Sequence, residues 1–485
     1  NCPPDRTTPT ETPRMPSTDP DRPNVIVVLT DDQGYWAMGC AGNPEVRTPN
    51  LDRLAATGTR FENFFCVTPV CSAARAALLT GRIASQNGVH DWIAGGKDIE
   101  FLEGQPGYTD VLARNGYVCG LSGKWHLGDA SFPQKGFTFW RPRAGGGYTE
   151  PALYDEDGAV HRPGGYLTDA ITDNALDFLD ARLGDDRPFY LSVHHIAPHS
   201  PWRREHHPAE YFEPYYDHCP LESAPREPKH PDDAGITDFF DSPERRREKL
   251  SGYYAAITAM DANLGRILGW LRRHGLTGNT VVFFTSDNGM NMGHHGVCGK
   301  GNGTLPVNLF DTSVKVPGII SRPGHIPEGR LCDDLYSHYD FRPTLLDYLG
   351  LEDPEAEALP GTSFAHLLRG EEEREQGQVV VFDEYGPVRM VRTHEWKYIR
   401  RYREDRPDEL YHLTQDPGET ENLIEAREQA DRVEKMRKKL GNWFERYVDP
   451  TFDGSKLPAT GCGQRKMAYE PDAFAQSWPE SWLHK

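Results

Sequence analysis

The stretch that decides the fold is Asn24-Val25-Ile26-Val27-Val28-Leu29, which Thr30-Asp31-Asp32 follow at once. Its β-branched and aliphatic side chains lack the polar alternation of a half-exposed strand, so they predict a strand that is buried on both faces, as in a parallel sheet. Ligands of open α/β sheets bind outside the carboxyl ends of the strands. The two carboxylates that end this strand therefore lie where a ligand is expected.

Three more apolar runs end in the same way, with polar side chains that can bind a metal or change protonation state. They are Tyr117–Leu121, ahead of Lys124 and His126; Phe189–Val193, ahead of His199; and Thr280–Thr285, ahead of Asp287 and Asn288. Helix-like patterns separate the runs, as is typical of an α/β protein. The predicted fold class is α/β, with a large, mostly parallel or mixed central sheet flanked by helices and a smaller C-terminal α+β domain that carries an antiparallel sheet.

At 485 residues the chain is long for a single core, and we divide it into four parts. These are a disordered or extended N-terminal segment (1–22), the α/β domain with the four strand ends (23–370), an α+β subdomain (371–450) and an irregular C-terminal extension (451–485). Within the α/β domain, residues 203–250 are rich in Pro, His, Glu and Arg, which indicates an excursion ahead of a long amphipathic helix, Ser251–Arg273.

The charge of the chain excludes some partners. The sequence has 53 basic and 73 acidic residues and a net charge of −20, which argues against nucleic acid and anionic membranes as general partners. Its apolar runs are shorter than the roughly 20 residues that a membrane-spanning helix needs, so no membrane span is expected. If the substrate is itself an anion, the site must supply its own positive charge.

Two cellular locations remain open. The nine cysteines form neither a CxxC pair nor a zinc-type spacing, and their number is odd, which slightly favours a reducing compartment. The sequence starts at Asn1, and Met15 is its first methionine. We expect a cytoplasmic protein if Met15 is the native start, and a periplasmic or secreted one if a leader has been removed.

The side chains at two of the strand ends, Asp31, Asp32, Asp287 and Asn288, offer only oxygen ligands. Such ligands suit a hard divalent cation, calcium or else magnesium, better than zinc or copper. A pair of Asp after a strand is on its own more often a turn or a helix cap. The second oxygen-rich strand end shifts the interpretation toward a metal site.

A nucleophile is predicted in Cys71-Ser72-Ala73-Ala74-Arg75, which continues as an Ala/Leu-rich run to Leu79-Thr80-Gly81-Arg82. In a helix that opens at Cys71, Arg75 lies one turn later on the same face. The free N–H groups and the positive dipole of a helix N-terminus favour an oxyanion. The alternative is an ordinary buried cysteine, since free cysteine is usually a small core residue.

Positive and titratable groups come from three loops. Lys124 and His126 are two residues apart on a segment that is expected to be extended. Side chains at alternate positions of an extended segment point the same way, so both can face one cavity. His199 lies in a loop that Pro198 and Pro201 stiffen. Lys300 stands in a glycine-rich run from which it could reach an anion. Each residue by itself would more often be a solvated lysine or a loop histidine, and only their combination points to one site.

Together these residues resemble the type I sulfatases of the alkaline phosphatase-like superfamily. The signature of that family is C-x-P/A-x-R followed by L-T-G-R, and Cys71 to Arg82 match it. The resemblance runs from Pro23 to Val448, through YYAAITAMDANLGRIL and the pattern Trp396-Lys397-Tyr398. In this family the cysteine is converted after translation to formylglycine, whose hydrated aldehyde is the nucleophile.

The resemblance implies a sulfatase, that is, a sulfuric ester hydrolase that depends on formylglycine and calcium. Calcium, or magnesium as the alternative, would be held by Asp31, Asp32, Asp287, Asn288 and the formylglycine formed from Cys71. Arg75 would steady the hydrated aldehyde, and Lys124 and Lys300 would bind the sulfate oxygens. His199 would protonate the leaving oxygen, and His126 would act as the base of the second step.

Two departures from the family pattern bear on these roles. Ala73 stands where the family usually has Pro, which bears on whether a formylglycine-generating enzyme or an anaerobic sulfatase-maturing enzyme accepts this chain as a partner. The segment from Lys300 to Pro317 is longer than the commonest form, so His294 and His295 are alternatives to Lys300 at that end of the site.

The expected substrate is a sulfated carbohydrate rather than a small aryl sulfate, because aromatic and polar residues follow the catalytic segments. His90, Trp92, Trp202 and His295 are the predicted substrate-binding residues. Ordinary partial burial is the alternative for the two tryptophans. Two other functions remain open: a phosphonate monoester or phosphodiester hydrolase of the same superfamily, and a non-catalytic relative that binds sulfated glycans.

Overall fold

The computed structural model describes residues 22–94, 98–371, 387–402 and 406–478, together with the backbone of 380–382. An eleven-stranded mixed sheet forms the centre of the fold. Its strands are β1 (Asn24–Asp31), β2 (Thr59–Phe65), β3 (Val118–Gly123), β4 (Phe137–Gly145), β5 (Ala152–Tyr154), β6 (Val160–His161), β7 (Phe189–Pro198), β8 (Thr280–Ser286) and, after the hairpin β9 (Asn291–Met292) and β10 (Cys298–Gly299), β11 (Lys315–Val316), β12 (Gly318–Ser321) and β13 (Arg330–Ser337).

The middle of the sheet is parallel, in the order β8-β1-β7-β3-β4. The whole path runs β11-β2-β12-β8-β1-β7-β3-β4-β5-β6, with β13 paired to β2. All four strands predicted from the apolar runs belong to this parallel group. Their carboxyl ends consequently meet at one edge of the sheet, as the sequence predicted.

Helices cover both faces of the sheet because side chains of each buried strand alternate between two cores. In β1, Val25, Val27 and Leu29 pack into one core, and Ile26 and Val28 into the other. The helices are α1 (Pro49–Ala56), α2 (Cys71–Thr80), α3 (Ala84–Asn87), α4 (Tyr108–Arg114), α5 (Leu167–Asp180), α6 (Ala209–Glu213), α7 (Pro243–Arg273), α8 (Asp311–Val314), α9 (His338–Tyr348), α10 (Ala365–Leu368) and α11 (Ala430–Tyr447).

The long helix α7 begins eight residues earlier than predicted, at Pro243 rather than Ser251. The Ser242 side chain accepts a hydrogen bond from the Arg245 N–H, and proline occupies the first helical position, where its missing N–H costs nothing. The expectation that residues 203–250 form only an excursion was therefore wrong for this part. The charged first turns of α7 carry no apolar periodicity that could have revealed it.

The C-terminal subdomain is a four-stranded antiparallel sheet, β14 (Val380–Phe382), β15 (Val388–Arg392), β16 (Trp396–Arg401) and β17 (Glu409–His412), with α11 packed against it. This arrangement confirms the predicted fold class. Asp311 of the α/β domain forms ion pairs with Arg392 at 2.8 Å and with Lys397 at 2.7 Å. Buried charges of this kind fix the position of one subdomain on the other because leaving one of them unpaired is costly.

The C-terminal extension, as far as Trp478, contains only short 3-10 turns and folds back onto the loop after α3. The fully buried Gln464 carries this contact. Its Oε1 accepts from the His90 N–H and its Nε2 donates to the Gly88 carbonyl, both at 2.9 Å. Trp478 stacks on Trp92 with ring centroids 6.0 Å apart. The predicted N-terminal segment 1–22 lies outside the described residues except for Arg22, and the domain boundaries remain predictions.

Among the described residues, no helix combines the length and the apolar character that crossing a bilayer requires.

Candidate active site

Cys71 is the first residue of α2, as its sequence context predicted, and it lies at the carboxyl edge of the parallel strands. The preceding Val70 is extended, and no side chain caps the helix. The Cys71 side chain is buried, and its Sγ lies 3.2 Å from Asp31 Oδ1. The nucleophile position thus combines an uncapped helix N-terminus with the carboxylate that ends β1.

The predicted oxygen ligands lie side by side because β1 and β8 are parallel neighbours, with Thr30 opposite Ser286. The side-chain ligand atoms of Asp31, Asp32, Asp287 and Cys71 all lie within 4.8 Å of one another. Asn288 Nδ2 donates to Asp32 Oδ1 at 2.8 Å and to the Gly289 carbonyl at 2.9 Å. This leaves the buried Asn288 Oδ1 without a hydrogen-bond partner among the described residues.

This donor set fits a hard divalent cation. All of its protein ligands other than the cysteine are oxygens, three of them are carboxylates, and the amide oxygen with no partner is an acceptor that a cation could satisfy. Burial and the neighbouring Asp31 carboxylate raise the pKa of Asp287 to about 6. A cation among these groups would reverse that shift, because it favours the charged carboxylate.

Three fixed positive charges match the three carboxylates. Arg75 Nε and Nη2 both lie 2.9 Å from Asp287 Oδ2. The ammonium group of Lys124 contacts Asp31. That of Lys300 contacts Asp32 and lies 2.8 Å from Cys71 Sγ. A divalent cation added to this balanced set would make the pocket positive, although the whole chain carries a net charge of −20.

The ionisation state of the pocket follows from these pairs. Burial opposes ionisation of Asp31, but the charges of Lys124, His199 and Arg75 outweigh it and hold the pKa of Asp31 well below its usual value. Burial and the Asp31 charge raise the pKa of the Cys71 thiol, so an unmodified Cys71 is a poor nucleophile at neutral pH.

The two predicted catalytic histidines lie beside this cluster. His199 Nε2 is 3.7 Å from Asp32 Oδ2, and its Nδ1 lies 2.8 Å from the Ser200 carbonyl oxygen. Since a carbonyl only accepts, Nδ1 carries a hydrogen and Nε2 faces the site. Burial lowers the pKa of His126, and the Lys124 charge lowers it further.

The expectation that the segment from Lys124 to His126 is extended was wrong. His126 has a φ of 59°, in the left-handed region, so its backbone turns instead of continuing as a strand. Its Nδ1 is buried without a hydrogen-bond partner among the described residues. The charges that act on its ring include Lys124, Asp31, Arg75 and Lys300, so the ring nevertheless lies close to the site.

Two tyrosines that sequence reasoning did not single out form hydrogen bonds to the backbone of site residues. The Tyr148 hydroxyl donates to the His199 carbonyl at 2.8 Å. The Tyr253 hydroxyl donates to the Asp32 carbonyl and accepts from the Gly34 N–H, both at 2.9 Å. The signals in the sequence were the glycines ahead of Tyr148 and the pair Tyr253-Tyr254 inside the long helix.

Three of the four predicted substrate-binding residues lie inside the protein, and the prediction that they contact a sugar is corrected. His90 is completely buried and its ring lies beside Phe474. Trp92 is covered by Trp478. Trp202 is 5% exposed, and its Nε1 donates to the Pro198 carbonyl at 2.6 Å. Protein groups already surround these rings, so no face remains for a sugar.

His295 is only partly buried, and one face of its ring stacks on Phe310 with centroids 3.9 Å apart. Its role toward a substrate stays a prediction. Lys300, rather than His294 or His295, is the residue that contacts Cys71.

The edge of the parallel sheet brings together a nucleophile position, an oxygen-donor cluster and basic side chains paired with carboxylates. These features define the class of the protein as an α/β enzyme whose site can bind an oxyanion. Comparison with known proteins then identifies the family. Residues 23–351 match the model of the Sulfatase family, and residues 307–446 match the model described as N-sulphoglucosamine sulphohydrolase, C-terminal. The chain belongs to the sulfatase family and is a sulfuric ester hydrolase.

Individual relatives agree with this assignment. An N-acetylglucosamine-6-O-sulfatase of Bacteroides thetaiotaomicron is 29% identical over 504 aligned residues, which cover 88% of this chain and 87% of the relative. A structure of a protein in complex with its substrate D-glucosamine-2-N,6-O-disulfate superimposes with a TM-score of 0.77 at 25% identity, covering 90% of this chain and 99% of the other. The phosphonate monoester hydrolase of Agrobacterium radiobacter shares the fold, with a TM-score of 0.69 at 21% identity over 88% of this chain and 96% of the other.

Proposed function

We propose that this enzyme hydrolyses the sulfate ester of a sulfated carbohydrate, releasing an alcohol and inorganic sulfate, with a formylglycine made from Cys71 as the nucleophile. The observation that carries the proposal is the surroundings of Cys71: its sulfur lies 3.2 Å from Asp31 and 2.8 Å from Lys300 at the start of a helix. Cys71 therefore lies between the oxygen-donor cluster and the ammonium group of Lys300, which can bind an anionic ester.

Two groups would complete the site. Asp31, Asp32, Asp287 and Asn288 would hold calcium, or magnesium in its place, which supplies positive charge next to the nucleophile. Formylglycine supplies a hydrated aldehyde, whose two hydroxyl groups allow both attack and release from one residue. A formylglycine-generating enzyme or an anaerobic sulfatase-maturing enzyme must act on Cys71 despite Ala73, and is the protein partner that we propose.

The residues of the chain then divide the work. Lys124 and Lys300 bind the non-bridging sulfate oxygens, since both ammonium groups reach the pocket. Arg75, fixed on Asp287, orients the nucleophile from the same face of α2. His199, with its Nε2 toward the site, gives a proton to the leaving oxygen. His126 receives a proton in the second step, because burial and the Lys124 charge lower its pKa and keep the ring neutral.

The sugar part of the proposal rests on the relatives. The B. thetaiotaomicron relative is named for a sulfated amino sugar, and the superimposed structure holds a disulfated glucosamine. The buried Trp92 and Trp202 contribute nothing to this argument. A phosphonate monoester or phosphodiester hydrolase is the second candidate, and the shared fold of the A. radiobacter enzyme favours it. A non-catalytic glycan-binding protein is disfavoured, since every expected catalytic side chain is present at the site.

The test compares three substrates: a sulfated amino sugar, an aryl sulfate and an aryl phosphonate monoester. The protein is produced together with a formylglycine-generating enzyme, and each rate is measured with calcium and after chelation. We expect sulfate release from the sugar, faster than phosphonate hydrolysis and lost on chelation. Faster phosphonate hydrolysis would support the second candidate, and no turnover of any substrate by protein with a verified aldehyde would support the glycan-binding protein.

A further inference from the structure

Arg143 lies at the rim of the active site. Strands β3 and β4 are parallel neighbours, and Pro142 pairs with Gly123. Arg143 follows Pro142 within β4, and Lys124 follows Gly123 directly after the end of β3, where the two strands are about 4.8 Å apart. Lys124 in turn contacts Asp31 in the pocket. The backbone of Arg143 thus lies next to the segment that carries Lys124 into the pocket.

The loop after β4 contains a residue that contacts the backbone of His199. Arg143 donates a hydrogen bond to the Gly146 carbonyl, and Tyr148 donates one to His199. Gly146 has a φ of +79°, and a Cβ there would lie 1.9 Å from the Glu150 carbonyl oxygen, so this tight turn needs glycine. A Cβ at Gly145 or Gly147 would meet no described atom within 4 Å, so this side of the loop is open.

Arg143 has no carboxylate partner in the part of the chain that the structure describes. No carboxylate of the described residues lies within 4.0 Å of its guanidinium, whereas Arg75, Lys124 and Lys300 are all paired. The side chain is exposed, yet nearby protein lowers the pKa of the guanidinium through desolvation, and Asp31 partly offsets the effect. The guanidinium of Arg143 is thus accessible but partly enclosed by protein near the pocket. Such a group is suited to binding an anionic group of a ligand.

We propose that Arg143 binds a second oxyanion of the substrate, distinct from the sulfate that is cleaved, and so selects sugars that carry two anionic groups. This inference rests on the proposed function and names its substrate class. The planar guanidinium fork matches both carboxylate and sulfate. The second oxyanion is therefore either the carboxylate of a neighbouring uronic acid or a second sulfate on the same sugar, and Arg143 is a specificity residue rather than a catalytic one.

The experiment uses the full-length, aldehyde-bearing enzyme and a panel of monosulfated sugars. Each sugar is tested in three forms: with no other charge, with a second sulfate, and linked to a uronic acid. The variants are Arg143→Gln, Arg143→Lys, which keeps the charge and loses the fork, and Arg162→Gln, which removes another exposed arginine. Thermal unfolding verifies that each variant is folded.

We expect Arg143→Gln to lower kcat/KM about tenfold on a doubly anionic sugar, chiefly through KM, and by less than twofold on its singly charged counterpart. Arg143→Lys should fall between, and Arg162→Gln should match the wild type. The form that loses most identifies the source of the oxyanion. Equal losses on all forms, or a wild type that prefers singly charged sugars, would overturn the inference. A wild type that releases sulfate from no ester at all would instead refute the proposed function.

Discussion

The ammonium nitrogen of Lys300 lies 2.8 Å from the sulfur of Cys71, although the two residues are 229 positions apart in the chain. The Asp32 carboxylate outweighs burial and raises the pKa of Lys300, so this amine is charged at any physiological pH. A fixed cation therefore touches the atom from which the nucleophile is made.

Cys71 should carry the aldehyde in protein made with a maturing enzyme. Mass spectrometry of the tryptic peptide Phe61–Arg75 would detect it, and Cys66 in the same peptide serves as an internal control because it should stay a thiol. Cys71→Ala should abolish sulfate release with little change in Tm. Full activity of a protein whose Cys71 is unmodified would contradict the formylglycine mechanism.

Calcium should stabilise the folded protein independently of catalysis. Ligand that binds only the folded state stabilises it by about 2.7 kcal/mol when present at a hundred times its Kd, so Tm should rise with calcium concentration. Asp287→Asn should remove most of this rise, because it deletes a carboxylate of the oxygen cluster. The exposed Asp431→Asn serves as the matched control. An unchanged calcium response in Asp287→Asn would exclude this cluster as the metal site.

Tyr148→Phe should slow turnover through His199. The substitution removes the hydroxyl that donates to the His199 carbonyl, and the loss of one such positioning bond corresponds to roughly a tenfold drop in kcat. Its effect on KM should be small. Tyr166→Phe is the control, because that hydroxyl contacts His207 Nδ1 at 3.0 Å instead. Equal losses of kcat in both variants would indicate a general packing effect.

Gln464→Leu should destabilise the folded protein. It would leave the His90 N–H and the Gly88 carbonyl without their partner, which costs about 2 kcal/mol or more. Denaturant unfolding would measure the loss, with the exposed Gln476→Leu as the comparison. A change below about 0.5 kcal/mol, the usual range for surface substitutions, would mean that the extension adds little to stability.

Asp340 should make stability fall as the pH rises. Burial raises its pKa to about 7 in the folded protein, against about 3.9 for an unfolded aspartate. The folded state then binds more protons between these values, so stability present below pH 4 is lost as the pH approaches 7. Asp340→Asn should flatten the Tm profile over this interval, whereas Asp431→Asn should not. An unchanged slope in Asp340→Asn would contradict this origin.

The sequence predicted the parallel strands and their shared edge because buried strands have a strong local signature, as NVIVVL at Asn24–Leu29 shows. It also predicted Cys71 as the start of a helix and the two oxygen-rich strand ends. The burial of Trp92 could not be foreseen, since Trp478, almost four hundred residues later, covers it. The same holds for Lys300, which reaches Cys71 through a loop whose path depends on distant contacts.

The ion pairs of the pocket couple the binding of a divalent cation to the binding of an oxyanion. Asp31, Asp32 and Asp287 neutralise Lys124, Lys300 and Arg75, and the same carboxylates are the ones that would hold a divalent cation. A cation that binds them weakens their hold on the three basic groups, which then become available to an oxyanion. Metal and sulfate should therefore bind cooperatively, each raising the affinity for the other by the same factor.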